Sequence, residues 1–272
     1  MNRQSLQRIA QDTLSKVNRG YYYVSGRRIN LEPFETGKLY TPEYIENIDL
    51  KGVNTYENPK IILVFEKTVD TIFRYKNEKL GVLNFASAYN PGGGFLNGSM
   101  AQEESLAYCS NLYETIKDNE FYALNKGVRT KMYSDNMIVS NVEFFKNSNY
   151  SCVLQPKQVT VITSAAVNMG EIIKRKENIQ LAKLTMKNRM RKVLKLFANE
   201  GCETMILGGF GCGVFRNNPE DIANYWVDLL IDEGYMKYFK TIIFSVYDSK
   251  VEKGKKSNYR VFQEIMKSRD VL

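Results

Sequence analysis

Six short apolar runs punctuate the chain from residue 60 onward: Lys60–Glu66, Leu80–Ala86, Met137–Phe145, Val159–Ser164, Thr204–Leu207 and Thr241–Val246. Short and rich in β-branched residues, they read as buried strands. Helix-forming segments lie between or after them, at Val69–Lys76, Ala101–Glu114, Glu171–Glu200, Pro219–Glu233 and Tyr259–Lys267. Such alternation predicts α/β architecture, a mixed, largely parallel sheet sandwiched between helices. Ahead of it, Leu6, Ile9, Ala10, Leu14 and Val17 share one helical face, and Gly20 stops that helix. Residues 21–58 are rich in Tyr, Gly, Pro and Asn and are expected to be irregular, with short strands at most. No repeat, low-complexity tract or linker divides the 272 residues. A single domain is therefore expected, residues 1–58 forming an N-terminal helical and irregular extension packed on a core of residues 59–272.

Histidine is absent from the chain. A Ser-His-Asp triad, a Cys-His pair, a histidine base and histidine-ligated zinc are therefore excluded. Catalysis would run on carboxylates, Lys, Tyr, Cys, backbone dipoles or a bound cofactor. Cys109, Cys152, Cys202 and Cys212 form no CxxC pair, and reduced thiols are expected. The N-terminal MNRQSLQRIA lacks the apolar core of a signal peptide, and the least charged stretch, Val82–Gln102, is too rich in Gly, Asn and Ser to span a bilayer. A soluble, cytoplasmic protein is expected. Lys and Arg total 38 against 30 Asp and Glu, a net charge of +8. That balance suits a polyanionic partner, and equally an ordinary solvated surface.

Two glycine-rich loops follow predicted strands, where α/β sheets place their ligands. The first, Leu83–Gly98, contains Asn90 and the successive glycines Gly92, Gly93 and Gly94. The second, Leu207–Phe215, contains Gly208, Gly209, Gly211, Cys212, Gly213 and Val214. Glycines permit positive φ and close approach to a ligand, and successive N–H groups can cradle a phosphate. Neither loop fits the dinucleotide or P-loop patterns. Gln102, Glu103 and Glu104 open the helix after the triple glycine. Acids there are explained by the helix dipole and capping alone. In a cleft beside the loop they would instead be the natural proton carriers of a chain without histidine. Their pKa would be raised by each other and by burial, or lowered by the helix N-terminus.

These residues resemble a known family. Gly92-Gly93-Gly94, seven residues, then Gln102-Glu103-Glu104 is similar to the signature of the microbial-type poly(ADP-ribose) glycohydrolases. MYSDNMIVS at Met132–Ser140, VITSAAVN at Val161–Asn168, GGFGCGVF at Gly208–Phe215 and FSVYD at Phe244–Asp248 resemble it as well. The resemblance implies a macrodomain fold with ADP-ribose across the sheet crest. It implies hydrolysis of the ribose–ribose glycosidic bond, releasing ADP-ribose from the polymer terminus, with no cofactor and no metal.

Carried over by motif position, Glu104 is the catalytic acid/base and Glu103 holds hydroxyls of the leaving ribose. Asn90 binds the distal ribose, and Gln102 and the Gly92–Gly94 backbone belong to the same site. Gly209, Gly211, Cys212, Gly213 and Val214 face the diphosphate, with Phe215 against the distal ribose or simply anchoring its loop. Asp70 meets the adenine amino group or caps its helix. Tyr247, one of 18 tyrosines, is a candidate for stacking on adenine. Tyr89 departs from the pattern, since the family often carries a small or basic residue there. The alternatives are a macrodomain that holds ADP-ribose without turnover, and a hydrolase of mono-ADP-ribosylated protein or nucleic acid or of O-acetyl-ADP-ribose. The expected partners are ADP-ribosylated macromolecules and no membrane, direct nucleic-acid binding stays open, and a monomer is expected.

Overall fold

The computed structural model describes residues 1–75, 79–248, 251, 254 and 256–272. Helix α1 (Arg3–Arg19) starts where the Asn2 side chain accepts from Ser5 N, and ends at Gly20 in the left-handed region. Its buried stripe is Leu6, Ala10, Thr13 and Val17. Thr13 belongs there because its hydroxyl donates to Tyr108 O and accepts from the buried Lys146 ammonium, at 2.8 and 2.6 Å.

The stretch expected to be irregular is more regular than its composition suggests. Strands β1 (Tyr21–Val24) and β2 (Arg27–Asn30) form a hairpin, and β3 (Lys38–Tyr40) joins the main sheet. Helix α2 (Pro42–Glu46) follows, capped by Thr41. Then come β4 (Lys60–Val64), α3 (Thr68–Arg74), β5 (Leu80–Phe85), α4 (Gln102–Cys109), α5 (Leu112–Ile116) and α6 (Phe121–Gly127). Strands β6 (Met137–Lys146) and β7 (Cys152–Ser164) precede α7 (Met169–Lys174), α8 (Ile179–Asn199) and β8 (Thr204–Leu207). Helix α9 (Pro219–Val227), β9 (Thr241–Ser245) and α10 (Asn258–Ser268) complete the chain.

Three expected helices are interrupted, each for a local reason. The Ala101–Glu114 segment breaks because Ser110 turns extended and its hydroxyl accepts from Leu112 N. The Glu171–Glu200 segment breaks at Lys176, with φ 56°, and restarts where Asn178 caps Leu181 N. The last turn of Pro219–Glu233 widens into a π-turn at Asp228–Asp232. The helix expected to reach Lys76 ends at Arg74, and Lys76 itself lies outside the described residues.

The seven-stranded sheet runs β3-β6-β7-β5-β8-β9-β4, with β6 antiparallel to both neighbours and the rest parallel. Val82, Val161, Ile206 and Ile243 bury one face against α1, α3, α4 and α5, with Ile72 and Leu106 at the contact. Leu83, Ile162, Met205 and Phe244 bury the other against α8, α9 and α10, with Phe197, Trp226 and Phe262. Period-2 alternation in buried parallel strands thus feeds two cores. Among the described residues no helix is long and apolar enough to cross a membrane.

The parallel strands end along one crest. Arg189 of α8, fully buried, pins two crest segments: Nε donates to Asp135 at 2.8 Å, and the guanidinium NH groups donate to Ala165 O at 2.7 Å and Tyr133 O at 3.3 Å. Replacing Arg189 by Met leaves both carbonyls unpaired beside the Asp135 carboxylate. We expect a cost of about 3 kcal/mol, seen as a Tm lower by roughly 10 °C; an unchanged Tm contradicts this role.

Candidate active site

The first glycine loop leaves β5 at the crest and folds on itself. Ser87 Oγ accepts from Tyr89 N and Asn90 N at 3.3 and 3.2 Å, and Asn90 O accepts from Gly93 N at 2.9 Å. Gly92 and Gly93 have φ of 65° and 61°, a region that L side chains avoid. Phe95, fully buried, anchors the far side of the loop, where Tyr108 OH donates to its carbonyl at 3.1 Å.

Helix α4 then returns beneath the loop. The Gln102 amide faces the strand: its Oε1 accepts from Phe85 N at 2.9 Å and its Nε2 donates to Leu83 O at 2.8 Å. The amide extends the β5 ladder where its backbone neighbours run out, and so sets the rotation of the helix. Glu103 and Glu104 are consequently buried, at 3% and 7% exposure. Neither caps its own helix. Glu103 Oε2 accepts from Ser87 N at 2.7 Å, and Oε1 accepts from Asn84 Nδ2 at 3.3 Å. Glu104 Oε1 accepts from Gly94 N at 2.8 Å, while its Oε2 is buried with no hydrogen-bond partner among the described residues. A Cβ on Gly93 would sit 2.5 Å from Glu104 Oε1 and 3.1 Å from Glu103 Oε2, so only glycine lets the loop cross over both carboxyls.

Burial settles the direction for Glu103. Desolvation, aided by the adjacent Glu104 charge, pushes Glu103 up to about 8 against the opposing pull of the Ser87 N–H, the Asn84 amide and the Gly92 N–H. Glu103 therefore keeps its proton near neutrality.

The second loop follows β8. Gly208 O accepts from the Trp226 indole at 3.1 Å, and Gly211, at φ 76°, accepts from Asn217 N and Nδ2, both at 3.1 Å. Asn217 is buried and its Nδ2 also donates to Val167 O at 2.7 Å, tying this loop to the segment after β7. A Cβ on Gly211 would meet Asn217 Nδ2 at 2.5 Å and Ala166 Cβ at 2.6 Å. Gly209 begins the turn by accepting from Cys212 N, and burial raises the Cys212 thiol, which suits packing better than reactivity. The N–H groups of Gly213, Val214 and Phe215 have no acceptor among the described residues, and Val214 is 83% exposed. Phe215 is half-buried, its ring 5.9 Å from that of Tyr133.

At the β9/β4 end of the crest, Tyr247 pairs with Phe65, ring centres 5.4 Å apart and both about half exposed. Phe65 was not singled out from sequence, because a lone aromatic closing an apolar run reads as core. Asp70 is not the cap of α3, a position held by Lys67; it is exposed in the first turn and accepts from Ser148 Oγ. Asn90 is exposed at the loop tip. Asn84 and Asn217 were also missed, although a polar residue inside the apolar β5 run was a visible signal.

The raised Glu103 pKa carries a stability consequence. Its folded value, about 8, exceeds the roughly 4.3 of an unfolded glutamate, so its contribution is complete below that lower value and is lost as pH rises through about 8. Between pH 5 and 9 the Tm should fall further for the native chain than for Glu103→Gln, as thermal melts across pH would show; parallel profiles would contradict the raised value.

Residues 10–147 match the model of the microbial-type PARG catalytic domain. Poly(ADP-ribose) glycohydrolase from Thermomonospora curvata is 30% identical, with a TM-score of 0.87 over 97% of this chain and 100% of that one. The same enzyme bound to the inhibitor ADP-HPD superposes with a TM-score of 0.86 at 30% identity, over 96% and 99% of the two chains. Poly(ADP-ribose) glycohydrolase from Deinococcus radiodurans in complex with ADP-ribose is 32% identical, with a TM-score of 0.78 over 85% and 94%. No curated protein matches the sequence. On this combined evidence the chain belongs to the microbial-type poly(ADP-ribose) glycohydrolases, hydrolases of the glycosidase type.

Proposed function

We propose that the chain releases ADP-ribose from the terminus of poly(ADP-ribose) by hydrolysing the ribose–ribose bond, with Glu104 as the single acid/base. The observation that carries this is the divided state of the Glu104 carboxyl: Oε1 is fixed by the Gly94 N–H and Oε2 has no partner among the described residues, directly beneath the glycine crossing. An oxygen in that state can hold a proton and hand it to a ligand. Glu104 would protonate the departing ribose oxygen as its bond to the anomeric carbon breaks, the ring passing through an oxocarbenium-like state. Water then adds to that carbon and returns a proton to Glu104, leaving free ADP-ribose and a polymer one unit shorter. Glu103, steadied by Ser87 N and Asn84, would hold hydroxyls of the leaving ribose, with Asn90 on the distal ribose.

The rest of the crest supports a nucleotide lying along it. Strands β5 and β4 are three places apart, about 14 Å at the usual strand spacing. The carboxyls stand at one end and the Phe65–Tyr247 pair at the other, with the second glycine loop between. The free N–H groups of Gly213, Val214 and Phe215 would receive the diphosphate, and the Phe215 ring would press on the distal ribose. Adenine would stack at Tyr247, with the second carboxylate oxygen of Asp70 for its amino group. A protein that only held ADP-ribose would gain nothing from two buried carboxyls under the loop.

Replacing Glu104 by Gln should lower ADP-ribose release by at least about 10²-fold while ADP-ribose binding stays within a few fold, followed by chromatography and calorimetry. Loss of binding together with turnover would contradict the assignment. Gly93→Ala should also lose most activity, because the new methyl displaces Glu104, at a stability cost of only about 1–2 kcal/mol for the left-handed backbone. A fully active Gly93→Ala enzyme would refute the placement of the loop.

A further inference from the structure

A single ADP-ribose, laid out as above, leaves one end of the crest unused. With adenine at β9/β4 and the carboxyls at β5, whatever departs from the anomeric carbon leaves toward the next strands, β7 and β6. Three side chains stand there. Tyr89 of the first loop meets Tyr133 edge to face, ring centres 5.4 Å apart, and Tyr133 continues to Phe215 at 5.9 Å. An aromatic wall thus joins the two glycine loops across the end of the cleft. The Lys131 ammonium lies 2.6 Å from Tyr89 OH and 4.7 Å from the centre of its ring.

The wall is held in place by its backbone. Lys131 N donates to the Glu177 carboxylate, and Lys131 O accepts from Asn168 N at 3.0 Å. Tyr133 takes φ 61°, costly for a residue with a Cβ, and is kept there by Arg189 on its carbonyl and Asn168 on its hydroxyl. Among the described residues no carboxylate lies within ion-pair distance of Lys131 Nζ, although carboxylates partner lysines across much of this chain. Of the three ammonium N–H donors, one serves Tyr89 and two are left for another acceptor.

Building on the glycohydrolase reading above, we propose that this wall is a subsite for the unit that leaves: the adenosine phosphate portion of the next ADP-ribose in the polymer. Lys131 binds a phosphate oxygen, and Tyr89 packs against the purine or its ribose. An amino-acid side chain as leaving group offers neither phosphate nor base, so the wall favours polymer over mono-ADP-ribosylated protein.

The test compares two substrates that share the distal ADP-ribose: poly(ADP-ribose), and ADP-ribose carrying nitrophenol at the anomeric carbon. Lys131→Met keeps the apolar stem and removes the charge. It should lower kcat/KM on polymer about tenfold more than on the nitrophenyl compound, with Lys131→Arg restoring most of the difference. Tyr89→Ala should act in the same direction. Equal falls on both substrates, or no fall on either, would overturn the subsite and leave the wall as a prop for Phe215. A binding measurement separates this from the reaction itself. In the Glu104→Gln background, dimeric ADP-ribose should bind more tightly than ADP-ribose, and Lys131→Met should remove that excess. If the native chain cleaves neither substrate, the glycohydrolase reading fails, while the dimer-to-monomer binding ratio still decides the subsite: an excess untouched by Lys131→Met refutes it.

Discussion

Two carboxyl groups held side by side out of water are costly, and the crest of this protein is arranged around keeping them there. Three features make the burial tolerable. Ser87 N–H and the Asn84 amide satisfy Glu103, and Gly94 N–H satisfies one oxygen of Glu104. Near neutrality Glu103 keeps its proton, which removes much of the repulsion between the two groups. The glycine crossing lets backbone cover both groups without a side chain intruding. Glu104 Oε2 is left buried without a hydrogen-bond partner among the described residues.

Holding such a pair requires rigid surroundings, supplied from several elements. Gln102 stitches the start of α4 to the end of β5, so helix and strand share one hydrogen-bonded frame. Asn217 ties the second loop to the segment after β7, and Arg189 reaches from α8 to the same segment and to Tyr133. Asn217 and Arg189 are buried polar groups with several partners each, the kind whose loss leaves unpaired atoms and not merely a cavity. The first loop, the second loop and the stretch before β6 are thereby held in register with one another. The N-terminal helix belongs to the same structure, since buried Lys146 of β6 reaches Thr13 and Asp12 of α1.

Much of the frame was legible residue by residue. Runs such as Val159–Ser164 and Thr241–Val246 mark strands because burial on both faces favours apolar and β-branched residues over charged ones. The first half of β7 escaped notice because none of Cys152–Gln158 is buried and its pairing with β6 is irregular. Helix interruptions at Ser110 and Asn178 were written in capping residues, yet the surrounding apolar periodicity outweighed them. Within the site, the glycines and the glutamate pair stood out as patterns. Phe65, Asn84, Lys131, Tyr133 and Asn217 did not, since each takes its meaning from a partner distant in sequence.

The sequence by itself determined the order of the strands from residue 60 onward and of most helices between them, the two glycine loops at strand ends and the proximity of Glu103 and Glu104 to the first of them. All of these are local, set by side-chain periodicity and by conformations that only glycine adopts readily. Tertiary structure alone decided that β5 lies between β7 and β8, which sets the two loops side by side at the crest. It also decided that the glutamates turn inward instead of capping their helix, and that the Glu103 pKa moves up. Both outcomes depend on desolvation and on hydrogen bonds between segments far apart along the chain, quantities that no local pattern of residues records.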